Sequence, residues 1–142
     1  MRALLLPHTP ICYLQLHYAY LINRDATGLT RLFKAHSKHN TPPKWNAEGV
    51  DLSTIASPIV DITSSVGSNQ LYWATPNRIY YSQLDQDGTP SQPMALAMTG
   101  DVPSGIRKIA VPPGGRTMFV ASANRLYQCY FNPSDGYCTG IN

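Results

Sequence analysis

Short apolar runs, separated by turn-forming residues, follow one another through the second half of the chain. Each run is rich in aromatic and branched apolar side chains and is bounded by Gly, Asn, Pro or Asp, which is typical of a strand followed by a turn. Six runs have this character: Ile59–Thr63, Gln70–Thr75, Arg78–Leu84, Ile106–Val111, Thr117–Ser122 and Arg125–Phe131. The pattern therefore predicts short antiparallel strands joined by tight connections.

The last three runs repeat the first three. Leu71–Tyr80 (LYWATPNRIY) returns 47 residues later as Met118–Tyr127 (MFVASANRLY). Extended without a gap, Ile59–Asp85 aligns with Ile106–Asn132 at seven identical positions. A period in this range indicates a repeat architecture. Four antiparallel strands in each repeat of this length are typical of a β-propeller blade.

We therefore predict an all-β chain that forms a partial β-propeller of four-stranded antiparallel blades. Residues 51–100 form one blade, with Met94–Met98 as its fourth strand, and residues 101–142 form another blade that lacks its last strand. Residues 1–50 form a degenerate first blade with an N-terminal strand and a basic loop, in which His17–Asn23 and Leu29–Ala35 are strands.

A ring of two or three blades cannot close on itself, because typical propellers have four to eight. The apolar faces and strand edges left open must then be covered. Three arrangements would do so: association with copies of the same chain, burial in a larger assembly, or membership of a longer protein. The missing last strand would be supplied by Ile11–Leu16 of a neighbouring chain.

Several side chains recur at equivalent positions of the two repeats and are candidate interface residues. They are Asn77, Arg78 and Tyr80 in one repeat, Asn124, Arg125 and Tyr127 in the other, and Trp73 in the strand before the first set. Two interpretations fit them. They are repeated ligand contacts, or they are packing groups in which the Asn-Arg pair shapes the turn and the tyrosine contacts the next blade. Trp45, Trp73 and the nine tyrosines also offer candidate stacking platforms for sugars between blades.

Two of the three cysteines flank a turn. Cys129 and Cys138 lie on either side of Asn132–Gly136, so their thiols would face each other across a hairpin. A disulfide and a pair of unrelated reduced thiols both fit this spacing. No Cys-x-x-Cys occurs, which excludes a zinc ribbon and a thioredoxin-like motif.

Composition and charge narrow the function classes. Charged residues make up 13% of the chain, about half the usual share, and apolar residues make up 43%, which excludes disorder as the main state. Basic residues concentrate in the first 50 positions, either as a patch for an anionic partner or as a solvated loop. They do not interleave with aromatics, so no nucleic-acid partner is predicted. The uncharged stretch Ala3–Asn23 is too broken by Pro, His and Gln to span a membrane.

Motifs that carry chemistry are not found in the sequence. It has no Gly-x-Ser-x-Gly elbow and no phosphate-binding loop, and its acids form no obvious pair. We therefore predict no enzyme activity, no catalytic residue, no cofactor and no metal site.

The run from Asn124 to Cys129, followed by Asp135-Gly136-Tyr137-Cys138, resembles extracytoplasmic bacterial propeller repeats of the YVTN type. Leu71-Tyr72-Trp73-Ala74 is similar to the corresponding strand of YWTD repeats, although Ala74-Thr75 replaces the Thr-Asp of that motif. The resemblance covers about residues 59–142. It implies a secreted or periplasmic interaction module, and the receptor roles of the related repeats do not carry over.

The expected function is accordingly a non-enzymatic scaffold, a propeller segment built into a larger complex of the bacterial envelope or of secretion. Its partners would be other proteins or copies of itself. The alternative is an oligomeric carbohydrate-binding propeller lectin.

Overall fold

The computed structural model describes residues 11–14, 18–24, 30–36, 45–47, 52, 55, 57–65, 69–112, 116–132 and 135–141. The chain divides into two compact units, Met1–Thr54 and Ile55–Asn142. The described residues form thirteen strands and no helix, and every strand pair except one is antiparallel. The prediction of an all-β chain with antiparallel sheets is therefore confirmed.

The first unit contains one antiparallel sheet with its strands in chain order. The strands are β1 (Ile11–Leu14), β2 (Tyr18–Arg24), β3 (Thr30–His36) and β4 (Asn46–Ala47). Tyr20, Ile22 and Leu32 are buried, and Ile22 pairs with Leu32 across β2 and β3. Strands are thus found where the apolar runs of the first third predicted them. Most of the predicted basic loop lies outside the described residues.

The second unit begins with another antiparallel sheet in chain order, called the second sheet below. Its strands are β5 (Asp61–Ser65), β6 (Gln70–Ala74), β7 (Ile79–Gln83) and β8 (Met94–Ala95). The turn after β7 is fixed by Asp85, whose Oδ1 accepts hydrogen bonds from the backbone N–H groups of Asp87 (2.8 Å) and Thr89 (2.9 Å). Gly88 adopts a φ of 74° in this turn, which glycine tolerates without strain.

A third sheet completes the second unit. Its strands are β9 (Ala97–Gly100), β10 (Ile106–Ala110), β11 (Thr117–Ser122), β12 (Leu126–Asn132) and β13 (Asp135–Ile141), arranged in the order β10-β11-β12-β13-β9. β13 pairs with β12 along its whole length, so the expectation that the last repeat lacks its fourth strand is wrong. The Asp135-Gly136 pair indicates a turn in the sequence. In the structure both residues belong to β13, because the hairpin folds this segment directly onto β12. Ile11–Leu14 pairs with β2 of its own sheet and is not needed to replace this strand.

The predicted fourth strand of the first repeat is divided between two sheets. Met94-Ala95 pairs with β7, whereas Ala97–Gly100 runs parallel to β13 at the edge of the third sheet. Between them, the N–H of Leu96 donates to the carbonyl of Ile79 at 2.9 Å. This segment therefore joins the outer edges of the two sheets, and the parallel pair shields one edge of β13.

The repeat seen in the sequence is also a repeat in strand register. Ile62 pairs with Trp73 in the second sheet, and 47 residues later Ile109 pairs with Val120 in the third. The following strand pairs show the same shift: every residue pair of β6 and β7 recurs 47 residues later as a residue pair of β11 and β12. Local sequence therefore sets the same hairpin geometry twice.

The core of the second unit lies between its two sheets. Buried side chains of β6 and β7, including Tyr72, Ala74 and Ile79, form one cluster with buried side chains of the third sheet such as Met118 and Val120. The rings of Tyr72 and Phe131 stack between the sheets with their centroids 5.6 Å apart and their planes 15° apart. Apolar burial of this kind is the main term that stabilises such a pair of sheets.

Candidate interaction face

One face of the third sheet contributes to the core and the other does not. Met118, Val120 and Tyr127 belong to the buried cluster, and side chains alternate along a strand. Phe119, Ala121 and Leu126 therefore point away from the core, where Ala121 and Leu126 are direct cross-strand partners. The exposed fraction of Leu126 is 43%, which is high for a large apolar side chain on a sheet. We call Phe119, Ala121 and Leu126 the open face.

The repeat shows what the open face corresponds to. Tyr72, Ala74 and Ile79 are the residues of the second sheet that align with Phe119, Ala121 and Leu126. In the second sheet these three side chains are buried, with at most 3% of their surface exposed, within the core shared with the third sheet. The open face is therefore the repeat equivalent of a sheet face that is covered by another sheet.

A buried carboxylate links the first strands of the two sheets. Asp61 is 8% exposed, its Oδ1 accepts from the N–H of Ile62 at 3.0 Å, and its Oδ2 accepts from the N–H of Ile109 in β10 at 2.9 Å. Burial raises the pKa of this carboxyl, while the N–H groups of Ile109 and Ile62 and the charge of Lys108 act in the opposite direction. Lys108 is the repeat equivalent of Asp61 and the cross-strand partner of Ala121, so an exposed cation lies beside the open face where the covered face has this carboxylate.

Asp61 gives the stability of the protein a specific pH dependence. Because its native pKa is raised, the folded chain holds this proton at pH values where the unfolded chain has lost it. We expect the free energy of unfolding of the wild type, relative to Asp61→Asn, to fall as the pH rises from 3.8 through the native pKa. Urea unfolding at a series of pH values measures this difference. Asp87→Asn, at an exposed position, is the control, and a difference between wild type and Asp61→Asn that stays constant with pH contradicts the expectation.

Trp73 lies on the face of β6 opposite to the core between the second and third sheets. Its side chain is fully buried, and its Nε1–H donates to Ser82 Oγ at 2.9 Å. A ligand would reach the ring only by displacing the residues that cover it. The structure gives no support to Trp73 as a stacking platform for a sugar, because its ring is buried and its Nε1–H is already donated. Trp45, in the first unit, is half-buried.

The recurring Asn-Arg pairs lie at two-residue hairpin connections. The N–H of Thr75 donates to the carbonyl of Arg78 at 2.9 Å, and the N–H of Ser122 donates to the carbonyl of Arg125 at the same distance. The hydroxyl of each Thr or Ser donates to the same carbonyl, at 3.3 and 3.1 Å. Asn77 and Asn124 are exposed within these connections. The pair thus shapes a turn in both repeats, as one of the two interpretations of the sequence requires.

In the second repeat, the recurring Arg and Tyr contact each other. The guanidinium of Arg125 lies 5.3 Å from the ring centroid of Tyr127, and its Nη2 is 3.6 Å from Asp101 Oδ2. The guanidinium also lies directly against Gly140, where any side chain would occupy its place. Asp101 Oδ2 accepts from the N–H of Gly140 at 2.9 Å, which joins the β9–β10 connection to β13. These contacts favour packing over ligand binding for Arg125 and Tyr127; Tyr80, the equivalent in the first repeat, is half-buried.

The cysteine pair is bonded. Cys129 and Cys138 are direct cross-strand partners in β12 and β13, both are fully buried, and their Sγ atoms form a disulfide. Of the two alternatives that fit the sequence, a disulfide and a pair of unrelated reduced thiols, the structure contains the disulfide. The bond fixes the hairpin at the end of the third sheet.

Asp61 and Leu126 are not evident as functional positions in the sequence. Aligning the two repeats identifies both positions. The acid Asp61 aligns with the base Lys108, and the buried Ile79 aligns with the exposed Leu126. Which of the two equivalent faces is covered depends on the sheet that packs on it.

No protein-family model matches the chain, and no curated protein matches it. Within the described ranges, no helix is long and apolar enough to cross a membrane. In the same ranges, no three His, Cys, Asp or Glu side chains come together in a way that would hold a metal ion.

Proposed function

We propose that this chain is a non-enzymatic interaction module, a segment of a β-propeller that is completed by a further β-sheet on its open face. The completing sheet comes from another copy of the chain, from another protein of a larger complex, or from a further part of a longer protein. The observation that carries the proposal is the equivalence of Leu126 and its neighbours on the open face to residues that are buried between the second and third sheets.

The blade interpretation rests on strand order and register. Each of the three sheets contains four consecutive antiparallel strands in chain order, which is the topology of a propeller blade. The second and third sheets share their register after a shift of 47 residues, and they pack face to face as successive blades do. Three blades are fewer than a ring needs, so two chains of three blades would close a six-bladed ring. The resemblance to YVTN-type and YWTD-type repeats agrees with this arrangement.

An extracytoplasmic location, in the periplasm or outside the cell, is part of the proposal. A disulfide persists in oxidising compartments and is rare in the cytosol. The bond between Cys129 and Cys138 supports such a compartment.

The energetic case for a covering sheet comes from the covered face of the same protein. Burying a large apolar side chain such as Leu stabilises a protein by about 1.5–3 kcal/mol. Ile79 makes this contribution within the core of the second unit, whereas Leu126 leaves 43% of its surface in water. A sheet that packs on the open face in the same way would gain the part of this term that belongs to the exposed 43% of Leu126, together with smaller contributions from Phe119 and Ala121.

Leu126→Asp tests the proposal. We expect the wild type to form an assembly of defined stoichiometry in native mass spectrometry and sedimentation velocity at micromolar concentration. The carboxylate would be buried in the new interface, so Leu126→Asp should dissociate the assembly into monomers. The residue is already partly exposed, so the variant should still fold.

Val102→Asp is the matched control, because Val102 is a similarly exposed apolar residue that lies in the β9–β10 connection and is not one of the open-face residues. It should leave the assembly intact. A wild type that stays monomeric contradicts completion by a second copy. An assembly that survives Leu126→Asp shows that the open face is not the interface.

A further inference from the structure

A small cleft lies at the end of the β12–β13 hairpin beside β9. It has a volume of about 270 Å³ and is lined by Thr99, Tyr130, Phe131, Asp135, Gly136 and Tyr137. The volume is just below the range of pockets that hold drug-sized ligands, so one ring of a ligand fits. The open-face residues do not line this cleft.

Two tyrosines give the cleft an aromatic floor. Tyr130 and Tyr137 are direct cross-strand partners, so their rings leave the same face of the sheet side by side. Their exposed fractions are 52% and 57%, so the two adjacent rings form an exposed aromatic patch.

The tyrosine pair is held on a rigid support. Tyr130 follows Cys129 in the chain and Tyr137 precedes Cys138, so the disulfide fastens the two strands at the next residue pair. The ring of Tyr137 lies against Gly100, where a Cβ would come within 2.9 Å of the ring Cε1. The disulfide and the glycine together fix the aromatic floor before a ligand arrives, which lowers the entropic cost of binding.

The cleft is separate from the surface that a further sheet would cover. Tyr130 is the repeat equivalent of Gln83. Gln83 is the last residue of β7 and lies on the same face of the second sheet as Ile79. Gln83 is exposed although the third sheet packs on that face. By the same geometry, a sheet packed on the open face would leave Tyr130 and Tyr137 accessible.

The polar groups of the cleft define the class of ligand. Asp135 supplies an exposed carboxylate, and the Thr99 hydroxyl donates to the carbonyl of Gly136 at 3.3 Å while its oxygen remains an acceptor. Among the described residues that line the cleft there is no Lys, Arg or His, so this lining does not favour an anionic ligand. A sugar ring has an apolar C–H face for an aromatic floor and hydroxyl donors for a carboxylate. A quaternary ammonium prefers to be enclosed by ring faces, whereas this floor is open on one side.

We propose that the cleft between β9 and the β12–β13 hairpin binds a neutral oligosaccharide, with one sugar ring on Tyr130 and Tyr137 and its hydroxyl groups donating to Asp135 and Thr99. The inference does not depend on the proposed interaction function. It places sugar recognition at tyrosines of the third sheet and not at Trp73.

A glycan array carrying neutral and acidic oligosaccharides, probed with the full chain, tests the proposal first. We expect binding to neutral glycans and none to the acidic ones. Isothermal titration with the best neutral array ligand then gives affinities for the variants. Tyr137→Ala should weaken binding by about tenfold or more, and Tyr137→Phe should retain it, since the ring provides the contact. Asp135→Asn should also weaken binding, because a neutral acceptor replaces a charged one.

Gln83→Ala is the matched control, because it truncates the equivalent position of the first repeat and should leave the affinity unchanged. Leu126→Asp should also bind normally, which separates failure of this inference from failure of the interaction proposal. The inference is overturned by an array without neutral ligands, by binding of choline in place of any sugar, or by Tyr137→Ala binding as tightly as the wild type. Thermal unfolding of each variant confirms that the fold is intact.

Discussion

Trp73→Ala should lower the free energy of unfolding of this protein by about 3–5 kcal/mol, the usual cost of truncating a fully buried tryptophan to alanine. Its side chain is 0% exposed, and neighbouring Leu71 and Ile62 are 0% and 2% exposed. The truncation removes the apolar contacts of the indole, opens a cavity and leaves the Ser82 hydroxyl without its donor. Because domains are stable by only about 5–15 kcal/mol, a substantial part of the total would be lost.

Urea unfolding followed by circular dichroism measures this effect. Trp73→Phe should cost less, since it keeps a large aromatic ring, although it loses part of the indole volume and the hydrogen bond to Ser82. Trp45→Ala is the second control: Trp45 is half-buried, so its truncation should have the smaller effect of the two alanine variants. A loss for Trp73→Ala no greater than that for Trp45→Ala would contradict the buried position.

Removing the disulfide should have the next largest effect. We expect the double variant Cys129→Ala/Cys138→Ala to lose about 2.7 kcal/mol, the value that chain entropy gives for a bond closing a loop of about ten residues. The bond restricts the unfolded chain, and it also fastens the hairpin that presents Tyr130 and Tyr137. Replacing both cysteines avoids a free buried thiol.

Denaturant midpoints with and without dithiothreitol measure this contribution. The reductant should lower the midpoint of the wild type and leave that of the double variant unchanged. Cys12→Ser keeps both cysteines of the bond and should respond to the reductant as the wild type does. A wild-type midpoint that is insensitive to reductant while the thiols become accessible to alkylation would show that the bond adds nothing to stability.

The sequence determines the local structure of this protein to a large extent. The 47-residue repeat predicts hairpins at Gln70–Leu84 and Thr117–Phe131, and both form with the same register. The two-residue connections at Asn77 and Asn124 and the pairing of Cys129 with Cys138 are also readable, because each depends on residues close together in the chain. Alternation of side chains and turn chemistry are local properties, and a single sequence records them.

Long-range partners are decided only by the tertiary structure. The parallel pairing of Ala97–Gly100 with β13 joins segments far apart in the chain, and nothing in either segment specifies the other. Asp61 is unremarkable in the sequence, and its role follows from the position of Ile109 beside it. The sequence places Asp135-Gly136 in a turn and predicts no last strand after it, whereas the strand Asp135–Ile141 forms because β12 and β9 supply hydrogen bonds on both sides.

The candidate surfaces show the same division. The sequence alone predicts that apolar faces are left over when three repeats cannot close a ring. The structure decides that the leftover face of the third sheet is that of Leu126, since the opposite face is buried in the core with Tyr72 and Ile79. The structure also decides that the side chain of Trp73 is buried and that the side chain of Tyr137 is exposed to solvent. Repeat equivalence gives aligned residues the same place in a sheet, but the neighbour that packs on each face determines whether that place is buried.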